Sequence, residues 1–209
     1  MKQFGDTHFV LKTPDGDTDV VFQLSGKHNI LNALAASAVG YNFGMTAAEI
    51  SRSLETVAPP KQRGEVIRFA KGFTVINGSY NSNPAALLKM VGTLNEGAGD
   101  SNRIIVVAGE MLELGAEEKD IHCLTGKDIA AIGADVVFGV RGLASELVEG
   151  AKAGGVKETR FFASPESAGE HLADIVKTGD LILVKGSRGV RTEKAIEVLV
   201  SKFEVEAQK

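Results

Sequence analysis

From Glu65 onward the chain alternates short apolar runs with stretches of helical spacing, and this alternation constrains the fold more than any other feature. Strands are expected at 65–69, 73–76, 103–108, 135–140, 160–162 and 181–185. Helices are expected from Pro84 and at 117–132, 143–153, 165–177 and 192–200. Strands and helices taking turns in this way indicate a doubly wound, parallel sheet with helices on both faces. Ile104-Ile105-Val106-Val107 and Leu181-Ile182-Leu183-Val184 are apolar without interruption, as central strands covered on both sides must be. The expected fold class is α/β with a mostly parallel sheet.

The first part of the chain has a different pattern. Residues 4–11 and 20–24 suit two strands, joined by Thr13-Pro14-Asp15-Gly16-Asp17, a cluster that favours a hairpin turn. Two helices follow: one over 29–41, closed by Gly44, and one capped by Thr46 that carries Ile50 and Leu54 at helical spacing. Pro59-Pro60, followed by Lys61-Gln62-Arg63-Gly64, is a stiff hinge. It divides the chain into residues 1–64 and 65–209, with the boundary in the segment 58–65.

Composition narrows the function. A net charge of -4 argues against nucleic acid as a partner, because phosphate neutralisation needs a clustered excess of Lys and Arg. No apolar run approaches the ~20 residues that a membrane span requires, and Met1 to Asp6 carry no signal-peptide pattern. The single cysteine, Cys123, excludes an internal disulfide and reads as a small buried hydrophobe in a reducing cytoplasm. Small molecules and proteins are the expected partners, and the expected location is cytoplasmic.

Candidate chemistry gathers where strands end. Ser79-Tyr80-Asn81-Ser82-Asn83-Pro84 is a polar corner between a strand and a helix, with Pro84 suited to the first helical position and Asn83 or Ser82 to the cap. An ordinary capped helix accounts for the same residues. In a parallel sheet, the loops 77–83, 109–115, 139–142 and 186–189 share one edge, where α/β folds bind ligands. That edge would gather Asn81, Asn83, Glu110, Glu113, Lys185, Ser187, Arg188 and Arg191. Lys185 and Arg188 suit carboxylate or phosphate oxygens, with Gly186 and Gly189 letting the backbone come close to a ligand; a solvated basic face is the competing reading. His28 and His122 have no second ligand at metal spacing and read as surface or satisfied core histidines. No metal site is assigned. There is no G-x-x-x-x-G-K-[ST] phosphate loop and no G-x-S-x-G elbow.

Five blocks, taken in order, resemble the Mur ligase family: Gly26-Lys27-His28-Asn29-Ile30-Leu31-Asn32-Ala33-Leu34-Ala35-Ala36, Arg63 after Pro-Pro, Ser79 to Pro84, Gly109-Glu110-Met111-Leu112-Glu113-Leu114-Gly115 with His122, and Val184-Lys185-Gly186-Ser187-Arg188. Within the family, the pattern is similar to that of members that add D-alanyl-D-alanine. The resemblance implies an ATP-dependent amide ligase that joins D-alanyl-D-alanine to UDP-N-acetylmuramoyl-tripeptide through an acyl phosphate, in peptidoglycan precursor synthesis. It implies that residues 1–64 correspond to the tail of a central ATPase domain and residues 65–209 to a Rossmann-like carboxyl-terminal domain. ATP and Mg2+ would serve the complete enzyme and bind this part only weakly, so the chain alone is expected to be inactive. Cut from its larger domain, the 1–64 segment would leave an apolar face uncovered, and self-association through it is expected.

By the same resemblance, Asn32 looks like the asparagine that contacts adenine, and Asn29 is its neighbour in the same nucleotide-binding motif. Arg63 looks like the catalytic arginine that meets the terminal phosphate, where a planar fork can hold two oxygens as charge develops. Asn81 falls with the nucleotide contacts, and Asn83, Lys185, Ser187 and Arg188 with the incoming dipeptide. Two departures stand out. Asn77-Gly78 replaces the usual pair of aspartates, which removes a ribose-accepting carboxylate and suggests a tight turn; Glu110 stands where aspartate is common. Two further readings are a binding or interaction module that has lost the nucleotide site, and a related ligase for another amino acid or peptide.

Overall fold

The computed structural model describes residues 7–24, 27–57, 62–99 and 102–206, and the chain divides into two compact units, one ending at Pro60 and one beginning at Lys61. The expected strand residues 4–6, Gly26 and the hinge residues Pro59, Pro60 and Lys61 lie outside the described residues.

In the smaller unit, β1 (Thr7–Thr13) pairs antiparallel with β2 (Gly16–Phe22), and α1 (Lys27–Asn42) and α2 (Ala47–Glu55) follow. Gly16, at φ +137°, closes the hairpin in a backbone region that side chains avoid. Helix α2 starts with a full capping box: Thr46 Oγ1 accepts the Glu49 N–H at 3.3 Å, and the Glu49 carboxylate accepts the Thr46 N–H at 2.9 Å. That pairing lowers the Glu49 pKa, chiefly through the backbone donor. Leu11, Val20, Phe22, Ala33, Ile50 and Leu54 form a small core. Leu31, Leu34, Val39 and Phe43 of and just beyond α1 remain exposed.

The larger unit contains β3 (Glu65–Arg68), β4 (Thr74–Gly78), α3 (Pro84–Gly97), β5 (Ile104–Gly109), α4 (Glu118–Ile132), β6 (Val136–Val140), α5 (Ala144–Ala153), β7 (Glu158–Phe162), α6 (Pro165–Ile175), β8 (Leu181–Lys185) and α7 (Glu193–Lys202). Its six-stranded sheet has the order β3-β4-β8-β5-β6-β7. Only β3 runs antiparallel, against β4, because the few residues between them permit a hairpin and not a crossover. The fold is therefore α/β, doubly wound and mostly parallel. Strands β5, β6 and β8 are buried along their whole length, and two apolar layers cover the two faces of the sheet.

Three details differ from the sequence reading. Asn77-Gly78 is the end of β4 rather than a turn, with the Asn77 side-chain oxygen accepting the Ser79 N–H at 3.2 Å and hydroxyl at 2.7 Å. Cys123 on α4 is half-buried, not buried. Gly186 is not kept bare for a ligand: a Cβ there would lie 2.7 Å from Thr192 Cγ2 and 3.2 Å from the Gly109 Cα, so the glycine is required by the close approach of two loops.

Candidate functional site

The parallel strands β4, β5, β6 and β8 end on the same edge of the sheet, so the segments 79–83, 110–117, 141–143 and 186–192 gather there. The corner after β4 is fixed by its own polar groups. Asn83 caps α3, its side-chain oxygen accepting the Ala86 N–H at 2.8 Å, with Pro84 opening the helix. Ser82, the other expected cap, is buried with its hydroxyl unpartnered among the described residues. The exposed Asn81 turns its side-chain oxygen to the Ser82 N–H at 2.8 Å.

Lys185, the last residue of β8, is only 6% exposed, and its ammonium donates to the Asn81 backbone carbonyl at 2.6 Å. Among the described residues no carboxylate pairs with it. Burial lowers the lysine pKa because the charged form loses water without gaining a counter-ion. A cation held in this way attracts an anion.

Arg63 lies with its guanidinium over the Tyr80 ring, 4.0 Å from the centroid. The segment carrying it is tied to the corner: Tyr80 N–H donates to the Gln62 carbonyl at 3.1 Å, and Gly64 N–H to the Asn77 carbonyl at 2.8 Å. Arg188, at the start of a single 3-10 turn, donates through Nη1 to Glu193 Oε1 at 2.8 Å and Gln62 Oε1 at 2.9 Å. The Arg63 segment and the loop after β8 are thereby joined.

Ser187 is 4% exposed, and its hydroxyl oxygen accepts the Leu112 N–H at 2.9 Å, which clips the loop after β8 to the loop after β5. Glu110 accepts the Leu143 N–H at 2.8 Å, and its carboxylate lies where a Cβ on Gly142 would be. The acid therefore braces the start of α5 rather than facing open space. His122 is fully buried and doubly satisfied: Nε2 accepts the Met111 N–H at 2.9 Å, and Nδ1–H donates to the Glu118 carbonyl at 2.6 Å. It is a core histidine that shapes the 110–115 loop. The side chain of His28 is not among those described.

The sequence-derived residues thus fall into two groups. Arg63, Asn81, Asn83, Lys185, Ser187 and Arg188 share the carboxyl edge of the larger unit. Asn29 and Asn32 lie on α1 of the smaller unit, Asn29 half-buried and Asn32 exposed. Gln62 and Glu193 were missed. The signal for Glu193 is its place in the first turn of α7, five residues after an arginine; for Gln62 the sequence carries none. Gly78 is buried, and a Cβ there would lie 3.2–3.3 Å from the Met90 thioether end, which would have to give by a few tenths of an ångström to admit a side chain.

Residues 62–188 match the family described as Mur ligase, glutamate ligase domain. The UDP-N-acetylmuramoyl-tripeptide–D-alanyl-D-alanine ligase of Escherichia coli K12 is 35% identical over 207 residues, covering 92% of this chain and 41% of the relative. MurF from Acinetobacter baumannii superposes with a TM-score of 0.84 at 27% identity, covering 94% of this chain and 43% of that one. MurF ligase from Thermotoga maritima, solved in complex with ADP, gives 0.74 at 25% identity over 95% of this chain and 44% of that one. The chain spans less than half the length of these relatives.

Proposed function

The chain belongs to the Mur ligase family, and from that premise we propose that it supplies the carboxyl-terminal part of an ATP-dependent ligase that adds D-alanyl-D-alanine to UDP-N-acetylmuramoyl-tripeptide. The observation that carries this reading is the buried Lys185 ammonium, held among the described residues by the Asn81 carbonyl alone, at the edge where Arg63 and Arg188 also gather. Such an edge favours the carboxylate and phosphoryl oxygens that this reaction brings together.

The proposed roles follow from chemistry and placement. Arg63, braced on Tyr80, presents a planar fork to the transferring phosphoryl group. Lys185 and Arg188 neutralise the dipeptide carboxylate, with Asn83 beside them. Ser187 holds the loop that carries Arg188. Asn32 meets the adenine with Asn29 beside it in the same motif, and Asn81 lies with the nucleotide contacts. ATP supplies the phosphoryl group that activates the tripeptide carboxylate. Among the described residues no three His, Cys, Asp or Glu side chains gather to hold a metal ion, so Mg2+ is given no ligand here. Peptidoglycan precursor synthesis in the cytoplasm is the setting this function implies; among the described residues no helix is long and apolar enough to cross a membrane.

By this proposal residues 1–64 are the tail of the ATPase domain and 65–209 the carboxyl-terminal domain, inactive without the remaining length of the relatives. Leu31, Leu34, Val39 and Phe43 are the apolar residues through which the chain would self-associate when alone. The test is a chimera in which this chain replaces the matching part of the Escherichia coli ligase, assayed for phosphate release with both substrates. Restored ligation by the chimera, and none by the chain alone, is expected. A folded chimera without ligation overturns the assignment, and ligation by the chain alone overturns its dependence on the missing part.

One observation favours a second reading. Glycine at position 78 offers no carboxylate to a ribose, as in a module that kept the fold for binding only. In the chimera, unaltered ATP affinity eliminates that reading.

A further inference from the structure

Gln62 holds its backbone at φ +67°, in the left-handed region that side chains disfavour and glycine enters freely. The turn itself does not call for a glutamine. The carbonyl accepts the Tyr80 N–H at 3.1 Å and the N–H donates to Glu65 Oε2 at 3.4 Å, and a glycine would keep both bonds without the strain. What a glycine would lack is the side chain, whose Oε1 accepts from Arg188 Nη1 at 2.9 Å.

The same nitrogen donates to Glu193 Oε1 at 2.8 Å, and Glu193 is 7% exposed at the start of α7. Nη1 carries two protons, and the two acceptors use both. Among the described residues no hydrogen bond engages Nε or Nη2, although the Arg188 side chain is half-exposed. Those two nitrogens form the planar side-on fork that can hold both oxygens of one carboxylate. Arg103 uses that fork on Asp180, through Nε at 3.0 Å and Nη2 at 2.8 Å. Arg188 has one nitrogen spent on the protein and its fork left over.

We propose that Gln62 is a positioning residue, which fixes the rotamer of Arg188 so that the Nε/Nη2 fork stands ready for a pair of oxyanion oxygens. Glu193 alone would let the guanidinium swing about a single contact; Gln62 supplies the second and stops the swing. Ordering this long side chain before a ligand arrives removes a cost that binding would otherwise carry, and the backbone strain at Gln62 is offset in that way. Only the identity of the oxyanion, the dipeptide carboxylate, rests on the ligase reading. The ordering of Arg188 does not.

Gln62→Gly keeps the backbone contacts, releases the strain and removes the acceptor. In the full chain, side-chain nitrogen resonances of Arg188 should be resolved into separate Nη signals and merge by rotation in Gln62→Gly, while the thermal midpoint holds or rises. Gln62→Asn also tolerates the left-handed region but is one methylene too short, and it should behave like the glycine variant. In the chimera, Gln62→Gly should raise KM for D-alanyl-D-alanine about fivefold and leave kcat within about twofold, because Arg63 keeps its place on Tyr80. On an Arg188→Ala background the same change should add nothing to KM, since Gln62 acts through that side chain alone. Unchanged Arg188 resonances, an unchanged KM, a loss confined to kcat, or a second loss of equal size on the Arg188→Ala background would each overturn the proposal. Merged resonances in Gln62→Gly beside a chimera that fails to ligate even with Gln62 in place would remove the ligase reading and leave the ordering of Arg188 standing.

Discussion

Lys185 at the end of β8 and Asn81 in the corner after β4 are joined by a 2.6 Å hydrogen bond from a buried ammonium to a backbone carbonyl. The bond ties the two loops that carry most of the candidate site, and it is the only compensation the ammonium receives among the described residues. The site is therefore built at a cost in stability that an anionic ligand would offset.

Replacing Lys185 with Met should raise the thermal midpoint at neutral pH while abolishing anion binding, since the exposed Asn81 can give its carbonyl to water. The effect depends on pH with a definite sign. Burial lowers the folded-state pKa, so the unfolded chain holds the proton more tightly, and wild-type stability rises as pH climbs through the lowered value toward the ordinary lysine value of about 10.4. The advantage of Lys185→Met should shrink over that window in urea unfolding followed against pH. A difference that stays flat or grows contradicts the account.

A second cation is fully compensated. Arg103 holds Asp180 through Nε at 3.0 Å and Nη2 at 2.8 Å, and Asp180 also accepts the Lys177 N–H at 2.8 Å, with its side chain 3% exposed. Asp180→Ala should cost about 1.5–3 kcal/mol, because Arg103 keeps the Ile175 carbonyl at 2.9 Å but loses its carboxylate, and the Lys177 N–H loses its acceptor. Glu158→Ala removes a looser contact, 3.9 Å from Arg103 at a half-exposed carboxylate, and should cost at most about 1 kcal/mol. Urea unfolding of the two variants side by side tests the contrast.

Local signals made most of the fold legible. Thr46 with Glu49, Asn83 with Pro84, and Pro165 mark helix starts by their own chemistry, and the unbroken apolar runs 104–107 and 181–184 locate central strands. Direction and partnership were less visible. Nothing local shows that β3 runs antiparallel except the shortness of the connection to β4, and the Asn77-Gly78 pair suits a turn until β8 pairs with it. At the site, Lys185 and Arg63 were legible through their motifs. The bridge from Glu193 through Arg188 to Gln62 was not, since it spans 126 residues between Gln62 and Arg188. For His122 the sequence left a surface and a satisfied core position both open, and the two partners that decide between them come from the loop and helix it joins.

Helices α4 and α5 cross with their backbones in near contact. A Cβ on Gly150 would lie 1.9 Å from the Cys123 carbonyl oxygen, and one on Gly126 2.0 Å from that of Leu147. Gly150→Ala gains up to about 1 kcal/mol in helix propensity but forces the helices apart, for a net loss expected near 3 kcal/mol. Gly92→Ala on α3, where a Cβ meets nothing within 4 Å, should be neutral or stabilising. Equal melting temperatures for the two variants would show that the crossing yields easily.

Arg63 separates function from folding. Its stack on the half-exposed Tyr80 is worth about 0.5–1 kcal/mol at an exposed site, so Arg63→Ala should leave the thermal midpoint nearly unchanged. If the guanidinium meets the transferring phosphoryl group, the same change should lower ligation by the chimera about 10^3-fold or more. Arg63→Lys should fail to restore the rate, because an ammonium lacks the planar fork and stacks poorly. Tyr80→Phe, which keeps the ring, should retain both stability and rate. Normal turnover by Arg63→Ala would move the phosphoryl contact to another cation of this edge, with Lys185 the first to examine.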